Sequence, residues 1–587
     1  MAKLLKPYLD FRGCLNVDAA PDNLADNELS VAENIDPEER GGIAKRKGTA
    51  PLLATSGTCP DQTGMTTIQI KLESGASVVN DYYKDFRIVI VAGTGQWQVR
   101  TISAYDGTTK IATVDEAWTT QPDSTSQYQV VVNYGGQVEK IIEWPRKDGT
   151  TVLLAVIGTT LCKIGTDNKK TELKVLDSAN IGYFFYADVF YFTGKESGTD
   201  KYWQYDGTTV SEVTPNAAVD NDLTPIKRCR IFVWHLKSQK IFAAGDPNDR
   251  AALYFSEAGD PSYFKGTSIL YPTTGDGPIK ALKEYGEAMA VAFQGDWWAY
   301  KGVDPASDAT WTKLPAGQGT VAGATATLTP NSLTFMGLGG IYSLSPGILD
   351  YNITLLTGDE LVKNRAKDKV TSIVRSMVHP ETATAVYDKY NEKYMLAYGD
   401  DAANSRNNKI LVLDWGLQGF TIYTNLQVND FCLRANGDLL IATNGYILKA
   451  NQGYRDWDAA NGKYVAIHYK AYGKGWSLDY PFNRKKTKKL FIAAKQYDTE
   501  TSTVDVKVQS DYLSVSKPGI SLDESFTWGE AWANLWGWTD YIGKEMQCKL
   551  KGNRFQVQLE NNVIDEPVTI YGLAFMYSLR KPKGVKV

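Results

Sequence analysis

"GYFFYADVFYFTG" (Gly182–Gly194) and "KYWQYDG" (Lys201–Gly207) are aromatic runs of strand length, each broken at Asp or Gly. Aromatic side chains fit pleated, buried faces, and Asp and Gly fit tight turns, so the pair reads as strands joined by short turns. The same cadence runs outward on both sides. "VEKIIEW" from Val138, "TVLLAVIG" from Thr151 and "TTLCKIG" from Thr159 precede it. "AALYFSEAGD" from Ala251, "AMAVAFQGDWWAYKG" from Ala288, "LTFMGLGGIYSLSPG" from Leu333, "KYMLAYGDD" from Lys393, "KILVLDWG" from Lys409 and "DLLIATNGYILKANQG" from Asp438 follow it.

Several of these units end in a turn glycine. Gly165, Gly207, Gly259, Gly302 and Gly347 lie 42, 52, 43 and 45 residues apart, and the 106 residues from Gly347 to Gly453 span two units. A repeat of about 40–50 residues with several strands per unit is the mark of propeller blades. The rhythm favours six blades, with seven as the alternative, and a large β-sandwich would give a less regular version of it.

Two regions fall outside the rhythm. Between residues 59 and 133, "YYKDFRIVIVAGTGQWQVRTISAYDGTTKIATVDEAW" (from Tyr82) alternates through Gly-Thr-Gly and Asp-Gly-Thr turns and predicts a small inserted β-barrel or sandwich. From residue 456 to 587, "TVDVKVQSDY", "FQVQLEN" and "VTIYGLAFMYSL" alternate as in a sheet with one wet face, predicting a sandwich-like domain. Between them Trp528, Trp532 and Trp536, with Trp538 beyond, have the spacing of a short aromatic helical face. The expected organisation is mainly β: an extended arm over 1–58, an inserted module over 59–133, a propeller over 134–455 and a C-terminal β-rich domain over 456–587.

Composition agrees with a multidomain β-protein. The 587 residues exceed one core, 12% are aromatic, and the net charge of −4 excludes a general affinity for nucleic-acid backbones. Two local basic runs, Lys45-Arg46-Lys47 and Arg484-Lys485-Lys486 with Lys488-Lys489, read as solvated turns or protected strand edges, with DNA or an acidic partner as the alternative. No apolar run approaches the roughly 20 residues of a membrane helix, and the N-terminus has no signal core, so folding in a cytoplasm is expected. The six cysteines are widely spaced and read as free, buried thiols.

Nothing in the chain demands catalysis. His235, His379 and His468 are isolated, and zinc, EF-hand, nucleophile-elbow and phosphate-loop motifs are absent. "GLGGIYS" and "GTGQWQ" fit strand turns better than a phosphate cradle. A carboxylate pair for sugar hydrolysis is defined by spacing in space, and Trp297-Trp298 could stack on sugar rings. No catalytic residue, cofactor or metal is expected.

The N-terminal stretch "DFRGCLNVDAAPDNLADNELSVAENIDPEERGGIAKRKG" (Asp10–Gly48) has turn pairs at Pro21-Asp22 and Gly41-Gly42 and scattered apolar residues. Its only helical periodicity is one short run, Asn27 to Ile35, so it cannot form its own core. In Gly13, Leu15-Asn16, Pro21-Asp22, Asn27-Glu28, Asn34-Ile35 and the closing "GIAKRKG" of Gly42–Gly48, it resembles the N-terminal arm of tail hub and nozzle proteins of tailed, especially short-tailed, bacteriophages. Cys14 stands where the arm usually has a second glycine.

The likeness extends to "ALYFSEAGDPSYF" (Ala252–Phe264), "DGPIKAL" (Asp276–Leu282), "FQGDWWAYKG" (Phe293–Gly302), "GGIYSLSPG" (Gly339–Gly347), Asp81–Tyr128 and "KGNRFQVQLEN" (Lys551–Asn561). It implies a structural virion protein, assembled in the host cytoplasm as a homohexameric ring of the tail. The ring would join a portal-adaptor ring to fibres or tip proteins and let DNA pass without specific binding. Gly13, Leu15, Asn16, Pro21, Asp22, Asn27, Glu28, Lys45 and Arg46 are then candidates for assembly contacts, in an arm lying extended between blades or between subunits. The alternatives are a glycan-binding or depolymerising tail protein and a connector of a long-tailed particle.

Overall fold

The computed structural model describes residues 3–579 except 21–22, 273–276, 287, 308–310, 315–317, 347–350, 356–357, 360–366, 404–405, 498–500, 512 and 523–540. The tryptophan cluster at Trp528–Trp538 and the Pro21-Asp22 turn lie outside the described residues.

The opening motif folds as read. Gly182–Tyr186, Val189–Glu196, Thr199–Tyr205 and Val210–Glu212 make a four-stranded antiparallel meander. Its first hairpin turns on Ala187 and Asp188, with φ of 49° and 67°, and its second on Ser197 and Gly198, with φ of 50° and 79°. Two successive positive φ values are what a tight hairpin needs to match the strand twist. Successive side chains point to opposite faces, and both faces here are buried. Phe190 and Phe192 pack with Trp144 and Leu154 of the preceding meander, while Tyr191 packs with Ile241 and Tyr254 of the following one. That is why these strands read as unbroken aromatic runs rather than as alternation.

Seven such four-stranded units occur among the described residues: 138–175, 182–212, 231–270, 281–313, 327–355, 384–428 and 430–449. Apolar layers join each to the next, and the seventh packs on the first through Leu440 and Ile447 against Ile141 and Ala155. The units therefore close into a ring, a seven-bladed β-propeller, the alternative count rather than the favoured six. The six-unit reading counts the spans between glycines and so leaves out the first unit, 138–175, which holds Gly165 ahead of the first span. Blade seven has only three strands of its own, Asp430–Leu433, Leu439–Ala442 and Ile447–Lys449; its fourth, Ala50–Pro51, comes from the far end of the sequence.

The inserted module is a six-stranded antiparallel sheet running from Leu53–Thr58 to Gln127–Val131, so it begins before residue 59. Its core holds Ile88, Ile90, Ile102, Tyr105 and Tyr128. It leaves blade seven at Pro51, returns as blade one, and leans on the propeller, with Val89 and Val131 packing among residues of blades six and seven.

The C-terminal region has two sheets around one core. Lys485–Lys495 lies centrally between Thr569–Leu579 and Tyr541–Gln547, and Thr503–Ser510 pairs with Phe555–Asn561 in the facing sheet. Leu490, Ile492, Val506, Val508, Val557 and Phe575 interdigitate between them. The second basic run is thus neither a turn nor an edge: Lys485 is fully buried and donates to the Asn553 carbonyl at 2.6 Å. Trp297 is likewise core, with its ring centre 4.9 Å from that of Phe335, and is not available to a sugar. "GLGGIYS" spans the turn between Ser332–Met336 and Ile341–Pro346.

All six cysteines are free and buried. Burial pushes the thiols of Cys14, Cys59 and Cys432 up to about 12 and those of Cys162 and Cys548 up to about 11, and raises that of Cys229 as well. A thiol with a raised folded-state pKa gives stability that is complete below its unfolded value of about 8.5 and is lost as pH climbs toward the folded one. Burial pushes Lys45 and Lys485 down to about 8, which works oppositely, returning stability between pH 8 and the unfolded lysine value. Six thiols outweigh two lysines, so the denaturation midpoint should fall between pH 8 and 11. A thiol reagent at pH 8 should label none of the six cysteines in the native chain and all six after unfolding.

Candidate functional site

The residues singled out in the arm are brought together by one continuous path. Leu4–Tyr8 pairs with Thr569–Leu579, and Cys14–Leu15 runs parallel to Glu28–Glu33. Glu28–Glu33 then lies antiparallel to Tyr469–Gly473 and parallel to Gly419–Val428, the last strand of blade six. Ile35–Pro37 and Ile43–Lys45 form a hairpin that adds to Thr569–Leu579, and Ala50–Pro51 closes blade seven. The run Asn27 to Ile35 is therefore strand, not helix. Its side chains are claimed by sheets on both edges, and pairing overrides a short helical periodicity. One consequence is a ten-stranded sheet in which blade six and half of the C-terminal domain are continuous, with Glu28–Glu33 as the seam.

The first turn explains Gly13 and Cys14. A Cβ on Gly13 would sit 2.8 Å from the Asn27 carbonyl oxygen and from the Glu28 side chain. Cys14 has φ of 51°, the left-handed conformation that glycine adopts at no steric cost, so the turn keeps its geometry with cysteine in it. Leu15 and Asn16 are buried, and Asn16 donates to Glu28 Oε2 at 3.1 Å, which also accepts from the Ala25 N–H at 2.8 Å.

The second node is centred on Arg46. Its side chain is almost fully buried and makes a two-point ion pair with Asp456, Nη1 to Oδ1 at 3.0 Å and Nη2 to Oδ2 at 2.5 Å. Its Nε donates to Asn34 Oδ1 at 2.9 Å, and its face lies 4.9 Å from the Tyr423 ring centre. Asp456 also accepts from the Thr49 hydroxyl at 3.2 Å. Asn34 has φ of 57°, and its amide donates to Thr424 Oγ1 and the His468 carbonyl, both at 2.8 Å. A short polar side chain that tolerates this backbone and offers donor and acceptor together is what the position requires. Gly48 follows, where a Cβ would fall 1.8 Å from the Arg455 carbonyl oxygen.

Lys45 points the other way, into the C-terminal domain, donating to Asn561 Oδ1 at 2.7 Å and the Val563 carbonyl at 2.9 Å. Asp36 bridges back to the propeller through Lys393 at 2.7 Å and the Tyr423 hydroxyl. Burial disfavours the Lys393 ammonium, but Asp36 and the Tyr423 hydroxyl together more than offset it, and the group is held charged above its ordinary range.

Of the basic triplet only Lys47 is exposed, resting 3.8 Å from the Tyr454 ring centre. Lys45 and Arg46 are buried within their own chain, which corrects the expectation of a solvated basic turn. Leu15, Asn16, Glu28, Lys45 and Arg46 all act inside the chain, joining the propeller to the C-terminal domain; Pro21 and Asp22 lie outside the described residues. The partners Asp456, Thr424 and Asn561 lie hundreds of residues away, and no signal in the arm announces them. His235 is buried beside Ser238, and His468 meets Glu560 at 3.1 Å. Among the described residues no group of three or more His, Cys, Asp or Glu could hold a metal ion.

No family model and no curated protein matches this chain. Among solved structures it is similar to a streptogramin B lyase, at 11% identity over 54% of this chain and 95% of that one, with a TM-score of 0.35. It is also similar to the Neurospora crassa Pan2 WD40 domain, at 10% identity over 54% of this chain and 89% of that one, with a TM-score of 0.34. An exo-beta-1,3-galactanase from Phanerochaete chrysosporium with galactose gives 9% identity over 74% and 100%, with a TM-score of 0.23. At such scores none of them bears on function, and the propeller rests on its own strand pairing.

Proposed function

We propose that this chain is a structural protein of a bacteriophage tail, the repeating subunit of a homohexameric hub or nozzle ring in the virion. In this reading the ring docks under a portal-adaptor ring, carries fibres or tip proteins, and gives DNA a passage that does not hold it. The observation that carries the proposal is where the arm residues of the phage-like pattern fall. Asn34, Lys45, Arg46 and Gly48 each sit where the arm touches the propeller or the C-terminal region, while Gly13 shapes the arm's own first turn. A subunit that bears load along a tail gains from such cross-stitching, because domains joined by sheet and buried ion pair move as one body. Closed rotational symmetry then turns identical subunits into a conduit.

Electron microscopy of particles carrying a tagged copy of the chain tests this. A ring at the tail with sixfold symmetry is the expected result. A tag found on a lateral spike, together with binding or cleavage of host oligosaccharide by the purified protein, would overturn it in favour of a glycan-directed tail protein. A tagged ring at the head end of a long tail would move the chain to a connector.

A further inference from the structure

Between blades two and three the chain folds back on itself: residues 220–222 run beside residues 264–266, next to the outer strand Ile269–Leu270. The Asp222 N–H donates to the Phe264 carbonyl at 2.8 Å, and the Gly266 N–H donates to the Asp220 carbonyl at 2.9 Å. The short helix Thr224–Arg228 closes the other side, and a cavity of about 170 Å³ is left between them. Buried Ile226, Tyr254 and Phe264 give it an apolar lining.

Arg228, which also lines it, is fixed from behind. Its Nε and Nη2 donate to Asp246 Oδ1 and Oδ2 at 2.8 and 2.7 Å, and the fully buried Asp246 also accepts from the Asn248 N–H at 2.9 Å. Nη1 remains, and no other group among the described residues takes it. Ser268 lines the same cavity, is 6% exposed, and its hydroxyl has no hydrogen-bond partner among the described residues. A nearly buried hydroxyl left without a partner is costly, so its partner is water or a ligand. Asp222 spends Oδ1 on the Thr224 N–H at 2.9 Å and keeps Oδ2. Charge then selects among ligands. Asp246 offsets Arg228, Glu257 offsets Lys265 at 2.8 Å, and Asp222 leaves one carboxylate over, which disfavours an anion. Donors at Arg228 and Ser268, an acceptor at Asp222 and an apolar lining match a neutral ring bearing hydroxyls, each of which donates and accepts.

We propose that this cavity binds one neutral hexose unit of a glycan. Its volume is well below the roughly 300–1,000 Å³ of sites for drug-sized ligands, which limits the ligand to about one ring. A sugar held here is as compatible with a hub as with a spike, and the position of the tagged chain in the particle separates those two. The test is saturation-transfer NMR on the full chain with the methyl glycosides of glucose, galactose and mannose. Saturable transfer to at least one of them is expected, with a dissociation constant on the order of millimolar because few atoms make contact. Ser268→Ala should weaken binding by roughly two- to tenfold, the worth of one hydrogen bond. It should leave the melting temperature unchanged, since no side-chain bond within the chain is lost. Gly266→Leu should abolish binding by filling the cavity: a Cβ there meets nothing closer than the Asp222 Cβ at 3.8 Å, so the backbone accepts it. Should Gly266→Leu fail to fold, Ser268→Ala carries the test alone. No saturable transfer to any of the three sugars, or transfer unchanged in the variants, would overturn the proposal. Binding of butylammonium but of no sugar would also overturn it, assigning Asp222 to a cationic side chain.

Discussion

Replacing Arg46 with alanine should cost the folded chain about 3–5 kcal/mol, the penalty for leaving one half of a buried ion pair without its partner. Asp456 is as buried as Arg46 and would keep only the Thr49 hydroxyl as a side-chain donor. The loss spreads further, because Asn34 Oδ1 and the Thr424 carbonyl also accept from the guanidinium. Arg46→Lys should recover only part of the loss: an ammonium cannot make two parallel bonds to the carboxylate and reach Asn34 as well. Chemical denaturation monitored by tryptophan fluorescence measures this, with Arg12→Ala as the control. Arg12 pairs with Asp10 on the surface, 47% and 41% exposed, and its loss should leave the midpoint unchanged. An Arg46→Ala midpoint equal to that of Arg12→Ala would show that the junction does not hold the domains together.

Removing residues 1–48 should have the larger effect and an uneven one. Five arm strands leave the C-terminal sheets and blade six, baring the edges of Thr569–Leu579, Tyr469–Gly473 and Gly419–Val428. Tyr8, Phe11, Leu15, Leu29, Ile35 and Ile43 leave the shared core with them. At about 1.5–3 kcal/mol per large apolar side chain, that loss matches the whole stability of an ordinary domain. Ala50–Pro51 remains, so blade seven keeps its fourth strand and the propeller stays closed. Limited proteolysis of the truncated chain should degrade the C-terminal domain and leave a resistant fragment holding the inserted module and propeller. A single melting transition and a digestion pattern like those of the full chain would contradict this.

How far the sequence could be read depends on whether each partner is local. Blades one to five were legible because their strands are consecutive and both faces are buried, so aromatic runs and turn glycines recur at a regular spacing. The fourth strand of blade seven was not, because Ala50–Pro51 is borrowed from the far end of the sequence. The arm was legible as extended and dependent on other surfaces, from its turn residues and scattered Leu15, Leu24, Leu29 and Ile35. What it leans on was not legible. Lys45-Arg46-Lys47 has the composition of a solvated turn, and only Asp456, from the start of the C-terminal region, turns Arg46 into a buried tie. The second basic run misled for the same reason: Lys485 is accommodated by a carbonyl across the sheet, not by anything adjacent in sequence.

Amide hydrogen exchange across Glu28–Glu33 tests most directly whether the arm is a seam or a strap. Here the strand lies between Tyr469–Gly473 and Gly419–Val428, and the Ala32 and Glu33 amides belong to a sheet that continues on both sides. The account predicts that these amides exchange only when the whole unit opens, as slowly as those of Leu411 and Val412 in blade six. Exchange within seconds at neutral pH, while Leu411 and Val412 remain protected, would contradict it and make the arm a peripheral strap.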